Sequence, residues 1–235
     1  MYHSITFNSE KNTWDDWHLI PSSRPLVAPP SVVTKFVEIP GLDGSVDLTT
    51  AVTGYPTFSR RVGSWQFIVA NGYGDWTVRY SELMAYLHGQ EGTVILEDDP
   101  GYFYEGRFTV ATWDSGKNFS MVEISYELMP YKREFTTSVD DWLWDEFNFE
   151  TGVIRDYSAI RVDGELTITI IGSVGRIIPE IIISAPMTVS YNGAEHSYAA
   201  AGTYHGVDFP IVEGEHDMTF TGNGIVTVYY RGGLL

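Results

Sequence analysis

The sequence predicts a mainly β protein in two domains, with a single helix in the first. Three observations carry that prediction. The 235 residues include 15 Tyr, 12 Phe and 7 Trp beside 23 Gly, a strand-and-turn composition. Runs of alternating apolar residues recur along the chain, separated by Pro-Gly, Asp-Gly and Asn-Gly dipeptides. Only one stretch carries an apolar repeat of 3.6 residues.

Residues 1–31 read as an extended, Pro-rich arm. Pro21, Pro25, Pro29 and Pro30 fix φ repeatedly and remove backbone donors, so the segment is expected to lie across a sheet or onto a neighbour. A hairpin follows in "VEIPGLDGSVDLTTAV". Val33, Lys35, Val37 and Ile39 share one face of its first strand, and Val46 and Leu48 share one face of its second. Between them, Pro40-Gly41 suits a type II turn and Asp43-Gly44 a tight reversal. Strands are expected over 64–70, 93–97, 102–112 and 120–128.

The helical repeat lies in "GDWTVRYSELMAYLHGQEG", where Trp76, Tyr80, Leu83, Met84 and Leu87 fall on one face. His88 belongs to its last turn and Gly89 provides a left-handed stop. A boundary after "LMPYKRE" closes the first domain at residue 135. Residues 136–155, acidic and aromatic without a period, read as a linker. Residues 156–235 then show only strands, with turns expected at Asn192-Gly193, Glu213-Gly214 and Asn223-Gly224, which predicts a small antiparallel β-sandwich.

The formal net charge of −17 disfavours nonspecific nucleic-acid binding, which needs clustered Lys and Arg, and disfavours adhesion to anionic lipid. The absence of cysteine excludes disulfides, thiolate nucleophiles and Cys-ligated zinc. "MYHSITFNSEKN" lacks the basic start and apolar core of a signal peptide, and "LTITIIGSVGRIIPEIIIS" is too interrupted for a membrane span. The expectation is a soluble protein made in a reducing compartment.

Enzyme signatures are missing from the sequence. "DSGKN" lacks the first glycine and the Ser/Thr of a P-loop, "GYG" does not continue into a dinucleotide fingerprint, and neither G-x-S-x-G nor H-E-x-x-H occurs. His196, His205 and His216 share the second domain but not a metal-ligand spacing. Glu97-Asp98-Asp99, and Asp140-Asp141 with Asp145-Glu146 around Trp142 and Trp144, pair carboxylates with aromatics as a glycosidase or cation site does. "EDDPG" is equally a solvated turn. Tyr191, Tyr198, Tyr204, Tyr229 and Tyr230 are candidates for stacking on sugars, Tyr204 and Tyr230 foremost. Strand packing accounts for such tyrosines as well.

Taken in order, "IPGLDGSVDLT", "FSRRVGSWQF", "SELMAYLHGQEGTVILEDDPGYFYEGRF" and "YELMPYKRE" resemble the first domain of distal tail proteins from tailed phages and prophages of Gram-positive bacteria. The closing "GNGIVTVYYRGGLL" resembles the end of the second domain in that family. The resemblance implies a tail-tube-like β-sandwich or split barrel with one helix, then a galectin-like β-sandwich. It implies a structural virion protein without enzymatic activity or cofactor. Six copies would form a ring at the end of the tail, joining the tube to the baseplate or tail-tip protein and in some cases to a receptor-binding protein. DNA would cross the ring only in transit.

On that reading the oligomer contacts are expected at Pro25, Pro29 and Pro30 of the arm, and at Ile39, Leu42, Asp43, Val46 and Leu48 of the hairpin. The alternative is a carbohydrate-binding module in the C-terminal sandwich, with Tyr204 and Tyr230 as glycan contacts. No inserted carbohydrate-binding module is visible in the roughly 80 residues of that domain.

Overall fold

A computed structural model describes residues 3–70, 76–115, 119–140 and 155–235. The Gly72 and Gly74 segment, the Gly116-Lys117 turn and most of the expected linker, with Trp142, Trp144, Asp145 and Glu146, lie outside them. The chain divides into two compact units at Lys132/Arg133, a few residues before the boundary expected from sequence.

The first unit contains β1 (Ile5–Phe7), β2 (Lys11–Asn12), β3 (Leu19–Pro21), β4 (Phe36–Glu38), β5 (Ser45–Asp47), β6 (Arg61–Val69), α1 (Trp76–Leu87), β7 (Glu91–Leu96), β8 (Tyr102–Ser115) and β9 (Ser120–Leu128). Its main sheet runs β2-β1-β7-β8-β9-β6-β3, all antiparallel. The period-two pattern explains the layer: Trp65, Phe67 and Val69 of β6 and Val122, Ile124, Tyr126 and Leu128 of β9 alternate inward. Against this face α1 sets Leu83 and Leu87, both 1% exposed, with Tyr80 and Met84 beside them. Each buried leucine contributes on the order of 1.5–3 kcal/mol. Gly89 follows the helix at φ +75° and donates its N–H to the Phe108 carbonyl.

A bulge between Val110 and Thr112 reverses which parity of β8 faces inward. Trp113 thereby turns to the helix side, where its ring stacks on Trp76 at 5.8 Å and meets Tyr80 edge-on at 4.8 Å. Trp76 itself is 42% exposed, so the helical repeat overstated how far the buried face extends.

The structure corrects the first part of the expected arm, while its Pro-rich part lies across a sheet, one of the two expected placements. Residues 5–21 supply three strands of the main sheet, with Ile5 opposite Leu96 and Leu19 opposite Val69. Ile5, Phe7, Trp17 and Leu19 are core residues. The Pro-rich remainder stays on its own unit: the Trp65 indole donates to the Leu26 carbonyl at 2.9 Å, and the Ala28 N–H donates to the Tyr126 hydroxyl at 2.8 Å. Arg61, buried to 5% exposure, donates to the carbonyls of Ala28 and Pro130 with its guanidinium 5.5 Å from the Tyr104 ring centre. Burial pushes the pKa of this guanidinium down, and neighbouring Tyr104 and Tyr126 oppose the shift.

The second unit contains β10 (Lys132–Glu134), β11 (Ile160–Gly172), β12 (Glu180–Ile183), β13 (Met187–Tyr191), β14 (Ala194–Tyr198), β15 (Gly202–His205), β16 (Gly214–Tyr229) and β17 (Gly233–Leu234). The strands from β11 to β16 are antiparallel and form one six-stranded sheet around β16. β16 pairs with β11 along one edge; along the other it pairs with β13 over residues 218–222 and with β12 over 226–229. Asn223-Gly224, expected as a turn, lies in the middle of this strand. The glycines there serve close approach instead: a Cβ on Gly222 would sit 2.9 Å from the Pro186 carbonyl, and one on Gly224 2.9 Å from Ser184 Oγ, where β12 passes into β13. Asn192-Gly193 is a hairpin turn as expected, with φ +48° and +80°.

The start of the expected linker belongs to this second unit. Ser138 donates its hydroxyl to the Val228 carbonyl and accepts the Tyr230 N–H, both at 2.8 Å. Arg155, buried, donates to the Glu134 carboxylate and to the Ile171 carbonyl.

Candidate functional site

The hairpin is built as its sequence dictates. Val37 faces Val46 in the β4–β5 register, and the Leu42 N–H bonds back to the Ile39 carbonyl across Pro40-Gly41. Gly41 and Gly44 take φ +85° and +84°, a region an L side chain enters only with strain. Thr49 donates from its backbone N–H to Asp47 at 2.8 Å, and hydrogen bonds from Thr49 hold this carboxyl below its ordinary pKa. Further bonds from Val33 to Thr57 and from Ser59 to Ser31 continue the pairing toward the base.

β4 and β5 form a sheet of their own, apart from the main sheet. Every residue from 31 to 45 is exposed. Phe36 is 58% exposed, Ile39 48%, Leu42 52% and Val52 92%, with Val32, Val33 and Tyr55 also open to solvent. A two-stranded hairpin is marginal by itself in water. Apolar side chains concentrated on such an element form the kind of exposed patch that interaction surfaces carry.

The sequence-predicted contacts divide accordingly. Ile39, Leu42 and Asp43 are exposed on the hairpin, while Val46 and Leu48 are half-buried. Pro29 is exposed and Pro30 half-buried, whereas Pro25 is buried in its own unit and presents nothing to a neighbour.

The acidic turn at 97–99 is a clamp on the chain's own beginning. Glu97 accepts the Ser4 N–H at 2.6 Å and the Ser4 hydroxyl at 3.0 Å. Asp98 pairs with Arg24 at 2.8 Å and with His3 at 2.9 Å, and Asp99 takes Lys132. The Arg24 hydrogen bond, then that of His3, holds the Asp98 carboxyl below its usual range. Since the folded pKa is depressed, this pair contributes stability above the ordinary aspartate pKa and loses it as the pH falls through the folded value. Arg24→Ala is therefore expected to raise the Asp98 pKa in a carbon-detected NMR titration, whereas Lys11→Ala, at another ion pair, should leave it unchanged.

The three C-terminal histidines do not converge. His196 pairs with Asp208, His205 with Glu180, and His216 with the Glu213 carbonyl. Among the described residues no three His, Asp or Glu side chains are grouped to hold a metal ion, and no helix is long and apolar enough to cross a membrane.

No protein-family model matches the chain, and comparison with curated proteins gives no match. Among solved structures, the fold matches the crystal structure of the SPP1 Dit (gp 19.1) protein with a TM-score of 0.60 and 15% sequence identity, over 100% of both chains. The chain has the Dit fold. The SPP1 protein is described as a paradigm of the hub adsorption apparatus in phages infecting Gram-positive bacteria.

The tyrosines nominated for sugar stacking sit unevenly on this Dit fold. Tyr230 is a core residue, 2% exposed, with its hydroxyl on the Ile171 carbonyl at 2.7 Å and its ring stacked on Tyr157. It offers no face to a glycan, which corrects that expectation. Tyr204 is half-buried, its ring 4.2 Å from Tyr198 and its hydroxyl on the Ala200 carbonyl.

Sequence reasoning missed a concavity elsewhere in the same unit, lined by Arg176, Tyr191, Asn192, Asp208, Pro210 and Val212. Its residues come from separate segments with no motif among them; Asn192-Gly193 was legible only as a turn, and Tyr191, nominated for stacking, is 2% exposed and shows no ring face to a sugar.

Proposed function

We propose that this chain is a structural hub protein of a phage tail tip, working by assembly rather than catalysis. The observation that carries the proposal is the apolar β4–β5 hairpin, exposed on a chain that has the Dit fold from end to end. Its occupant is a neighbouring copy of the chain. Burying Phe36, Ile39 and Leu42 against that copy supplies the apolar centre of each interface in a closed ring of six.

The ring joins the tail tube on one side to the baseplate or tail-tip protein on the other, with a receptor-binding protein as a further partner, and DNA crosses its channel at ejection. A net charge of −17 on each copy suits that passage, because an acidic wall repels phosphate instead of holding it. Phe36, Ile39 and Leu42 are the residues to test. Light scattering and negative-stain images of the purified chain should show rings of about six copies, and the triple substitution Phe36→Asp/Ile39→Asp/Leu42→Asp should yield folded monomers. Rings that persist in the triple variant, or a wild-type chain that stays monomeric when concentrated, would sink the proposal.

A further inference from the structure

Three chain segments of the second unit wall a cavity of about 280 Å³. Segment 173–179 brings Arg176, segment 206–213 brings Asp208, Pro210 and Val212, and the β13–β14 turn brings Asn192. The walls are braced. Ile177 and Ile211 exchange backbone hydrogen bonds at 2.9 and 2.8 Å, and the Gly206 N–H donates to the Pro179 carbonyl. Phe209 and Ile211 anchor the second segment in the core at 0% exposure. The cavity is thus formed before any ligand arrives, which lowers the ordering cost of binding.

Arg176 and Asp208 both line it and form no ion pair with each other. Arg176 is exposed and makes no hydrogen bond or ion pair among the described residues. Asp208 is exposed, with His196 beside it at 3.4 Å. At the floor, the Tyr191 hydroxyl is buried without a hydrogen bond of good geometry, next to the Val212 backbone and the Asn192 side chain.

We propose that this cavity binds one neutral sugar residue, or a similar vicinal polyol. The charge balance disfavours a lone ion: Arg176 and Asp208 cancel, so a free anion meets the carboxylate and a free cation meets the guanidinium, and the apolar Pro210 and Val212 beside them favour a neutral ligand over a zwitterion. A vicinal diol satisfies both, donating to Asp208 while accepting from Arg176, with the Asn192 amide able to do either. Pro210 and Val212 offer an apolar wall to the C–H face of a sugar ring. The volume lies at the small end of ligand sites, enough for a single residue. This site is independent of the hairpin and of the tail-tip reading.

The test is saturation-transfer NMR on the full chain with a panel of neutral hexoses, N-acetylhexosamines and linear polyols. At least one is expected to bind saturably, with an affinity on the order of millimolar. Arg176→Ala, Asp208→Asn and Asn192→Gly should each weaken it by about tenfold or more, with thermal midpoints unchanged. Asn192→Gly keeps the turn, since glycine accepts its positive φ. Tyr204→Ala should have no effect. A purified bacterial surface polysaccharide titrated in parallel separates the sources: tighter binding than its free monosaccharide assigns a polymer-borne residue, and equal binding assigns the free sugar. No saturable binder in the panel, or binding that survives all three cavity substitutions, overturns the proposal.

Discussion

Replacing Phe7 with alanine is expected to lower the melting temperature of the first unit by about 10–20 °C, a loss of about 3–5 kcal/mol. Phe7 is 0% exposed, with ring contacts to Phe108 at 5.0 Å, Trp17 at 6.2 Å and Trp65 at 6.4 Å. Truncation removes an aromatic ring from the middle of that group, and Phe108 and Trp65 sit on strands too constrained to close the gap. Calorimetry on a monomeric hairpin variant gives the cleanest reading. If Phe7 belonged to an arm that touched only a neighbour, the monomer would melt unchanged, and the assignment of β1 to the core sheet would fail.

In the second unit, Glu134→Ala is expected to cost about 3–5 kcal/mol, far more than an exposed ion pair would. The reason is what it leaves behind. The Arg155 side chain is 5% exposed, donates to Glu134 and to the Ile171 carbonyl, and lies with its guanidinium 5.7 Å from the centre of the Tyr230 ring. Without the carboxylate, a buried guanidinium keeps its desolvation cost and loses its counter-charge. Glu134→Ala combined with Arg155→Met should recover most of the loss in urea titrations, because the pair's removal leaves no charge to solvate. A single variant within about 1 kcal/mol of wild type would show that water reaches Arg155 readily.

What the sequence discloses depends on how far a pattern runs. α1 was legible because its repeat spans three turns, from Trp76 to Leu87, and the β4–β5 hairpin because Pro40-Gly41 and Asp43-Gly44 require turns. β1, β2 and β3 have two or three residues each, too few to display a period, and lie among Trp, Asp and Pro residues that signal irregular chain. Long-range β pairing with β7 and β6, not local preference, makes them strands. Asn223-Gly224 misled for a related reason: glycine also marks a place where backbones cross.

The candidate sites follow the same logic. The exposed residues Ile39 and Leu42 lie within one local element, so sequence placed them together. Arg176, Asn192 and Asp208 meet only through the Ile177–Ile211 bridge and the β13–β14 turn, which no spacing announces. Tyr204 and Tyr230 look alike in sequence, and burial alone separates them.

The position of β16 also sets an order of events during synthesis. It follows β11 to β15 in the chain, yet β11, β12 and β13 each pair with it. While the ribosome is still adding residues 214–229, the earlier strands have no common partner and their apolar faces stay uncovered. The second unit therefore closes late and at once, after a long wait for its last large strand.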